Sequence, residues 1–388
     1  MHVIRRARVE DAGTLLKLAK MVYFINLPAD RDVIDAKIAH SRACFLRAGS
    51  GGGAARGSGR ARAGGVQGLA TGGVASDFFM FVVEDRETRT VLGTSQILAR
   101  MGGPGNPNYS FRLEKRDFFA EDIKTGTSHV VARLHPDETG PTEIGGLILQ
   151  PAARGASLGK FLSFVRFHFV GLHRKLFSDR VLAEMMAPVT DDGRSLLWEY
   201  LGRRFIPLSY TEADRLCQRS REFIAALLPR DDIYLSLLPP EARDVVGRVN
   251  DETVPARRML ESMGFEYRGC VDPFDGGPNI EARTDQIPVV RHTRWTELGE
   301  AAPASKLRTE GIVSVLQPDG EFYAVRDRFM VDDRHRVCLS GEAMAGLGAA
   351  VGMRVGVTDL DAVVSAVTGA GEPKKKRAPR AKARSGRA

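Results

Sequence analysis

The stretch Glu143–Lys160, EIGGLILQPAARGASLGK, limits the folds open to this chain more than any other. The apolar residues up to Leu149 read as a strand, and two adjacent glycines, Gly145 and Gly146, interrupt it. Glycine inside a strand weakens it and marks a bulge or a close backbone approach. A loop holding Arg154, Gly155 and Gly159 follows Gln150-Pro151 and opens a segment of helical periodicity, from about 154 to 177. The start of a helix offers free N–H groups and the positive end of a dipole, both of which favour a bound phosphate. From spacing alone, phosphate binding and ordinary turn chemistry both stay open.

The surrounding order is mixed. Residues 2–8 alternate as a strand, and 9–23 and 30–45 carry helical spacing. FFMFVVED (78–85) and TVLGTSQILAR (90–100) form a hairpin, and 106–112 and 128–134 continue a meander before the strand at 143–151. A strand at 180–188 and a helix at 195–205 follow the central helix. The fold class expected is α/β (α+β), with a single phosphate-type loop at its centre. At 388 residues more than one folding unit is expected. We place a first unit at 1–205, a second α/β unit at 206–298, a small β-barrel at 299–365 and a disordered basic tail at 366–388. Within the first unit, residues 47–73 are dominated by Gly, Ala, Ser and Arg and read as a flexible insertion.

Charge must be located before it is interpreted. The eight Lys and Arg residues after Pro373 equal the whole net charge of +8, so the body of the chain is neutral. Contact with nucleic acid is therefore expected only as a weak, tail-borne attraction to phosphates. No apolar run approaches the ~18 residues of a membrane span, and the N-terminal MHVIRRARVED lacks the apolar stretch of a secretory signal. Cys44, Cys217, Cys270 and Cys338 lie too far apart for a disulfide framework or a zinc spacing. A cytoplasmic, reduced protein without a metal is the simple expectation.

The element order resembles the acyl-CoA N-acyltransferase (GNAT) superfamily, whose phosphate loop falls on Arg154, Gly155, Ala156, Ser157, Leu158 and Gly159, with Lys160 behind them. Ser157 stands where a glycine is usual. SDRVLAEMMAPVTDDGRSLLWEYLGRRF, REFIAALLPRDDIY and PARRMLESMGFEYRGCVDPFDGGPNIEA, with FDGGP as the most specific piece, resemble the arginine N-succinyltransferases over most of residues 1–295. The resemblance implies a GNAT-like fold and transfer of succinyl from succinyl-CoA, a co-substrate rather than a bound cofactor, to the α-amine of arginine. It further implies a homo- or hetero-oligomer, and it places Leu147 at the succinyl-CoA contact, with Leu149 along the same strand.

The family's proton-donating histidine falls on Asn250, which has no exchangeable proton near neutral pH. His135, read as a loop residue near the active edge, is a candidate replacement. Tyr109 and Arg112 are candidates to meet a carboxylate, Glu184 to hold a cationic group, and Asp275 to contact substrate or fix a turn. Two other readings remain beside the first: an N-acyltransferase for another amine or acyl-CoA, and a non-catalytic acyl-CoA-binding paralogue.

Overall fold

The computed structural model describes residues 1–21, 27–50, 76–155, 157–217 and 220–368. The expected insertion at 47–73 begins as the end of a helix and lies outside the described residues from 51 onward. The expected tail at 366–388 likewise starts within the helix Leu360–Thr368 and lies outside them from 369.

The strands are β1 (His2–Arg6), β2 (Phe78–Asp85), β3 (Val91–Leu98), β4 (Asn108–Ala120), β5 (Thr125–Asp137), β6 (Thr142–Leu149), β7 (Arg180–Glu184) and β8 (Ile233–Tyr234). They continue with β9 (Glu266–Val271), β10 (Pro278–Arg283), β11 (Thr293–Glu297), β12 (Thr309–Leu316), β13 (Phe322–Val331), β14 (Val337–Cys338) and β15 (Arg354–Asp359). The helices that frame the site are α1 (Ala12–Lys20), α2 (Arg31–Gly49) and α3 (Leu158–Leu172). Among the described residues all fifteen strands join one sheet, in the order β11-β15-β12-β13-β1-β2-β3-β6-β7-β10-β9-β4-β5-β8, with β14 beside β13. Its described strand pairs are antiparallel except β6 and β7, which run parallel and are joined through α3.

Six successive apolar residues, Phe78–Val83, suit a strand covered on both faces, and all six are buried. On one face lies α3, apolar nearly all round and therefore buried itself. Phe169 of α3 meets Phe45, Phe81 and Phe322 at ring-centroid distances of 5.4, 5.6 and 5.6 Å. His168, also on α3, lies 2.7 Å from Thr358 Oγ1 and 2.6 Å from Ser314 Oγ. Burial pushes it down to about 3, so it stays neutral and serves packing.

Two expectations need correction. The segment after residue 299 does not close into a barrel. Its strand β13 pairs with β12 on one side and with β1 on the other, Val3 opposite Val325, so the edge needed for closure is taken and the sheet stays open. Secondly, 106–112 and 128–134 are the roots of one long hairpin whose strands each have thirteen residues. The polar outer half of that hairpin reads as loop in sequence because both faces are open to water. His135 accordingly sits on strand β5, opposite Ser110. Among the described residues no helix is long and apolar enough to cross a membrane.

Candidate active site

β6 and β7 pair only at Thr142–Val181 and Glu143–Leu182 and then part. The cause lies in the double glycine. Gly146 has φ +55°, and the register of β6 against β3 slips between Thr94 and Gln96, which is a bulge. A Cβ on Gly146 would sit 2.7 Å from Cδ of Gln96, so both the dihedral and the space call for glycine.

The loop after β6 is built in short steps. Pro151–Ala153 make one 3-10 turn, Arg154 is extended, Gly155 takes φ +104° and Ser157 φ +57°, and α3 starts at Leu158. Ser157 thus holds a left-handed conformation that glycine adopts without penalty. The helix is shorter at its start than its periodicity suggests because this turn comes first. The N–H groups of Leu158, Gly159 and Lys160 lie in the first turn, where no helical acceptor reaches them. Arg154, half exposed, pairs with Glu252 at 3.4 Å, and the Lys160 ammonium lies 5.2 Å over the Phe164 ring. Leu149 packs beside Gly159, and Ala156 lies outside the described residues.

Two cavities flank the parting strands. One, the slot, is lined by Ile144–Leu147, by Arg166 of α3 and by Ala183–Met186. Thr253, Ala256, Met259 and Leu260 roof it from the helix Val254–Ser262 and the turn before it, and Asp272 and Asp275 complete it. The other, ionic cavity has charged groups set among apolar walls that include Phe78, Leu98, Met101, Ile224 and Phe274. Lys37 of α2, Gln96, Glu143, Asp214 and Arg221 line it with Asn108 and Tyr109. Gly145, Glu184 and Asp272 line both cavities.

Asn108 organises the ionic cavity. Its Nδ2 donates to Glu184 Oε1 at 2.9 Å, and its Oδ1 accepts from Arg221 Nη1 at 2.8 Å. Burial pushes the Lys37 ammonium down to about 8, against the raising influence of Glu143 and Asp214. Burial also lifts the Asp214 carboxyl to about 7, with Lys37 opposing. Asp272 is raised well above the usual carboxylate range by burial and then by the charges of Asp275 and Glu184. Asp272 Oδ1 accepts from the N–H groups of Phe274 and Asp275 at 2.7 and 3.0 Å.

The residues predicted from sequence divide. Leu147 and Asp275 line the slot, Tyr109 lines the ionic cavity, and Glu184 lines both. Asp275 has its carboxylate engaged: Oδ2 accepts from Ala187 N–H at 3.0 Å and Oδ1 from Gly277 N–H at 2.7 Å, which ties the FDGGP turn to the end of β7. Arg112 and His135 meet each other at 3.3 Å, and neither is in the lining of the two cavities. Burial and then the Arg112 charge lower His135. Asn250 is also outside both linings. Its Oδ1 accepts from Glu252 N–H at 3.0 Å, capping the 3-10 turn Asp251–Thr253 that leads to the roof of the slot.

Lys37, Gln96, Asn108, Glu143, Arg166, Asp214, Arg221 and Asp272 were not singled out from sequence. Arg166 had a visible signal, a lone arginine inside the apolar run FLSFVRFHFV. Lys37 had a weaker one, on the buried face of its helix with Ile34, Ile38 and Ser41.

The chain resembles known proteins in sequence and in overall fold. The family model of the arginine N-succinyltransferase beta subunit matches residues 67–289. Arginine N-succinyltransferase of Escherichia coli O17:K52:H18 is 37% identical over 227 residues, which is 58% of this chain and 66% of that protein. The enzyme of the same name from Escherichia coli O1:K1 gives the same identity over the same length. The match therefore spans slightly less than two thirds of these relatives. The solved structure of arginine/ornithine succinyltransferase subunit AI from Pseudomonas aeruginosa superposes with a TM-score of 0.72 at 26% identity, over 93% of this chain and 99% of that one. The fold is thus the GNAT-like acyltransferase fold, with its C-terminal strands added to an open sheet. With more than half of its length matched by the family model, this chain belongs to the arginine N-succinyltransferase family.

Proposed function

We propose that the chain transfers the succinyl group of succinyl-CoA to the α-amine of arginine. The observation that carries this reading is the meeting of two chemically different cavities at Gly145, Glu184 and Asp272. The slot beside the bulged strand suits an extended pantetheine arm, which can pair with backbone as an added strand does. Leu147 and Leu149 would flank the arm, and the first-turn N–H groups of Leu158, Gly159 and Lys160 would receive its pyrophosphate. Arg154 would have to leave Glu252 to join them. The ionic cavity offers carboxylates to a guanidinium and the cations of Lys37 and Arg221 to an α-carboxylate, as a basic amino acid requires.

The chemistry is a direct attack. The neutral amine nitrogen forms a bond to the thioester carbon, the C–S bond breaks, and the CoA sulfur leaves as a thiolate that takes a proton. Glu184, at the junction and held by Asn108, would accept the proton that the amine gives up. Backbone N–H groups near Leu147 would stabilise the oxyanion. Asp272, whose carboxyl burial raises well above the usual range, lines the same junction and would protonate the thiolate, a task the Asn250 side chain cannot perform.

The test is CoA release across a matrix of acyl-CoAs and amines that includes arginine and ornithine, since the Pseudomonas structure carries both names. Turnover with succinyl-CoA and arginine above background hydrolysis is expected, and its absence with every amine overturns the reading. Subunit designations in the family model and the Pseudomonas structure favour an assembly of more than one chain.

A further inference from the structure

Arg166 lies in the middle of α3 and is only 2% exposed. Its guanidinium donates through Nε to the Ser163 carbonyl (3.3 Å), through Nη2 to Ser163 Oγ (2.7 Å) and through Nη1 to the Gly145 carbonyl (3.4 Å). All three acceptors are neutral. Among the described residues no carboxylate forms an ion pair with Arg166, although Glu184, Asp272 and Asp275 line the same slot; its one further contact is with the Phe167 ring, 5.9 Å away. A guanidinium has five N–H groups, so one on Nη1 and one on Nη2 are left without a partner. Burial lowers Arg166 only to about 9, so the group is charged at neutral pH.

A buried charge without a counter-ion is costly, and an apolar side chain of similar volume in its place is often neutral or stabilising. Stability alone therefore does not account for an arginine here. The residue lines the slot and holds the carbonyl of Gly145, where slot and ionic cavity meet. A planar fork with unspent N–H groups matches the two oxygens of a carboxylate.

We propose that Arg166 receives the terminal carboxylate of a dicarboxylic acyl chain, and so selects succinyl over a neutral acyl group of the same length. This rests on the acyl-CoA reading of the slot given above. A purely bracing role would use the bond to Gly145 and leave the remaining N–H groups with no purpose.

The experiment is calorimetric titration of the full chain with succinyl-CoA, butyryl-CoA and CoA, for the wild type, Arg166→Met and Arg166→Lys. The wild type should bind succinyl-CoA roughly 10- to 100-fold more tightly than butyryl-CoA, the range of a charge-assisted hydrogen bond. Arg166→Met should abolish that difference without weakening butyryl-CoA, and Arg166→Lys should restore part of it. Equal wild-type affinity for the two acyl-CoAs overturns the proposal, and this arm needs no variant to fold. Equal weakening of both by Arg166→Met also overturns it, since that is the mark of bracing. A preference that Arg166→Met abolishes, in a protein that releases no CoA with any amine, keeps the carboxylate site and removes the transferase reading. Failure to bind either acyl-CoA removes both.

Discussion

The Gln96 side chain lies against the backbone of Gly146: a Cβ on Gly146 would lie 2.7 Å from Gln96 Cδ and 2.8 Å from its Nε2. Gly146 also sits at φ +55°, at the bulge beyond which β6 and β7 are no longer paired and the slot lies. Gly146→Ala is expected to cost about 2–4 kcal/mol, combining left-handed strain with overpacking. Urea denaturation should show this, and Gln96→Ala in the same chain should relieve the packing part and leave the dihedral part.

Ser157 carries the opposite lesson. Its φ of +57° at the entrance to α3 is a cost that glycine would not incur. Ser157→Gly should raise stability by roughly 0.5–1 kcal/mol and lower the KM for acyl-CoA, with kcat little changed. Thermal melts and steady-state kinetics check the two halves separately.

Glu184 lines both cavities and accepts from Asn108. Glu184→Gln keeps the shape while removing the charge. We expect kcat/KM to fall about 10²–10⁴-fold, the usual range for a lost general base. Much of that loss should be recovered at high pH, where more of the amine is neutral in solution. A pH–rate profile that keeps its wild-type form would count against this role.

Asp214 provides a pH signature. Its carboxyl is lifted to about 7 by burial, so it holds negative charge only as pH rises through that value. The KM for a cationic amine should therefore fall as pH increases across about 7, and Asp214→Asn should flatten the dependence. The same raised carboxyl binds a proton in the folded state between its ordinary value of 3.8 and about 7, where the unfolded chain has released it. Its contribution to stability consequently declines as pH rises through that window. Lys37, pushed down to about 8, bounds the effect above, since neutralising it removes an anchor for an α-carboxylate.

Asn250 caps the turn Asp251–Thr253. Asn250→Ala should cost about 0.5–2 kcal/mol of stability, and Asn250→Asp should preserve the cap. If Asn250→Ala abolishes turnover in a chain whose melting is otherwise normal, Asn250 takes part in the chemistry and the assignment to Glu184 and Asp272 must be revised.

Local chemistry was readable in the amino-acid order. Gly145-Gly146, Pro151 and the apolar run of α3 act within a few residues of themselves, so the bulge, the loop and the helix could be placed in advance. The FDGGP turn was readable for the same reason, its Asp275 being tied to Gly277 two residues on. Partners distant in sequence were not readable. β13 chooses β1 some three hundred residues away, and that choice turns an expected barrel into the rim of one open sheet. The ionic cavity depends on distance still more. Lys37, Glu143, Asp214 and Asp272 come from four separate segments, and each alone looks like an ordinary charge. Only the packing of α2, the helix Tyr210–Cys217, β4 and the turn after β9 beside β6 and β7 takes them out of water together. That shared burial, absent from any one segment, gives Lys37, Asp214 and Asp272 their altered proton affinities and the cavity its chemistry.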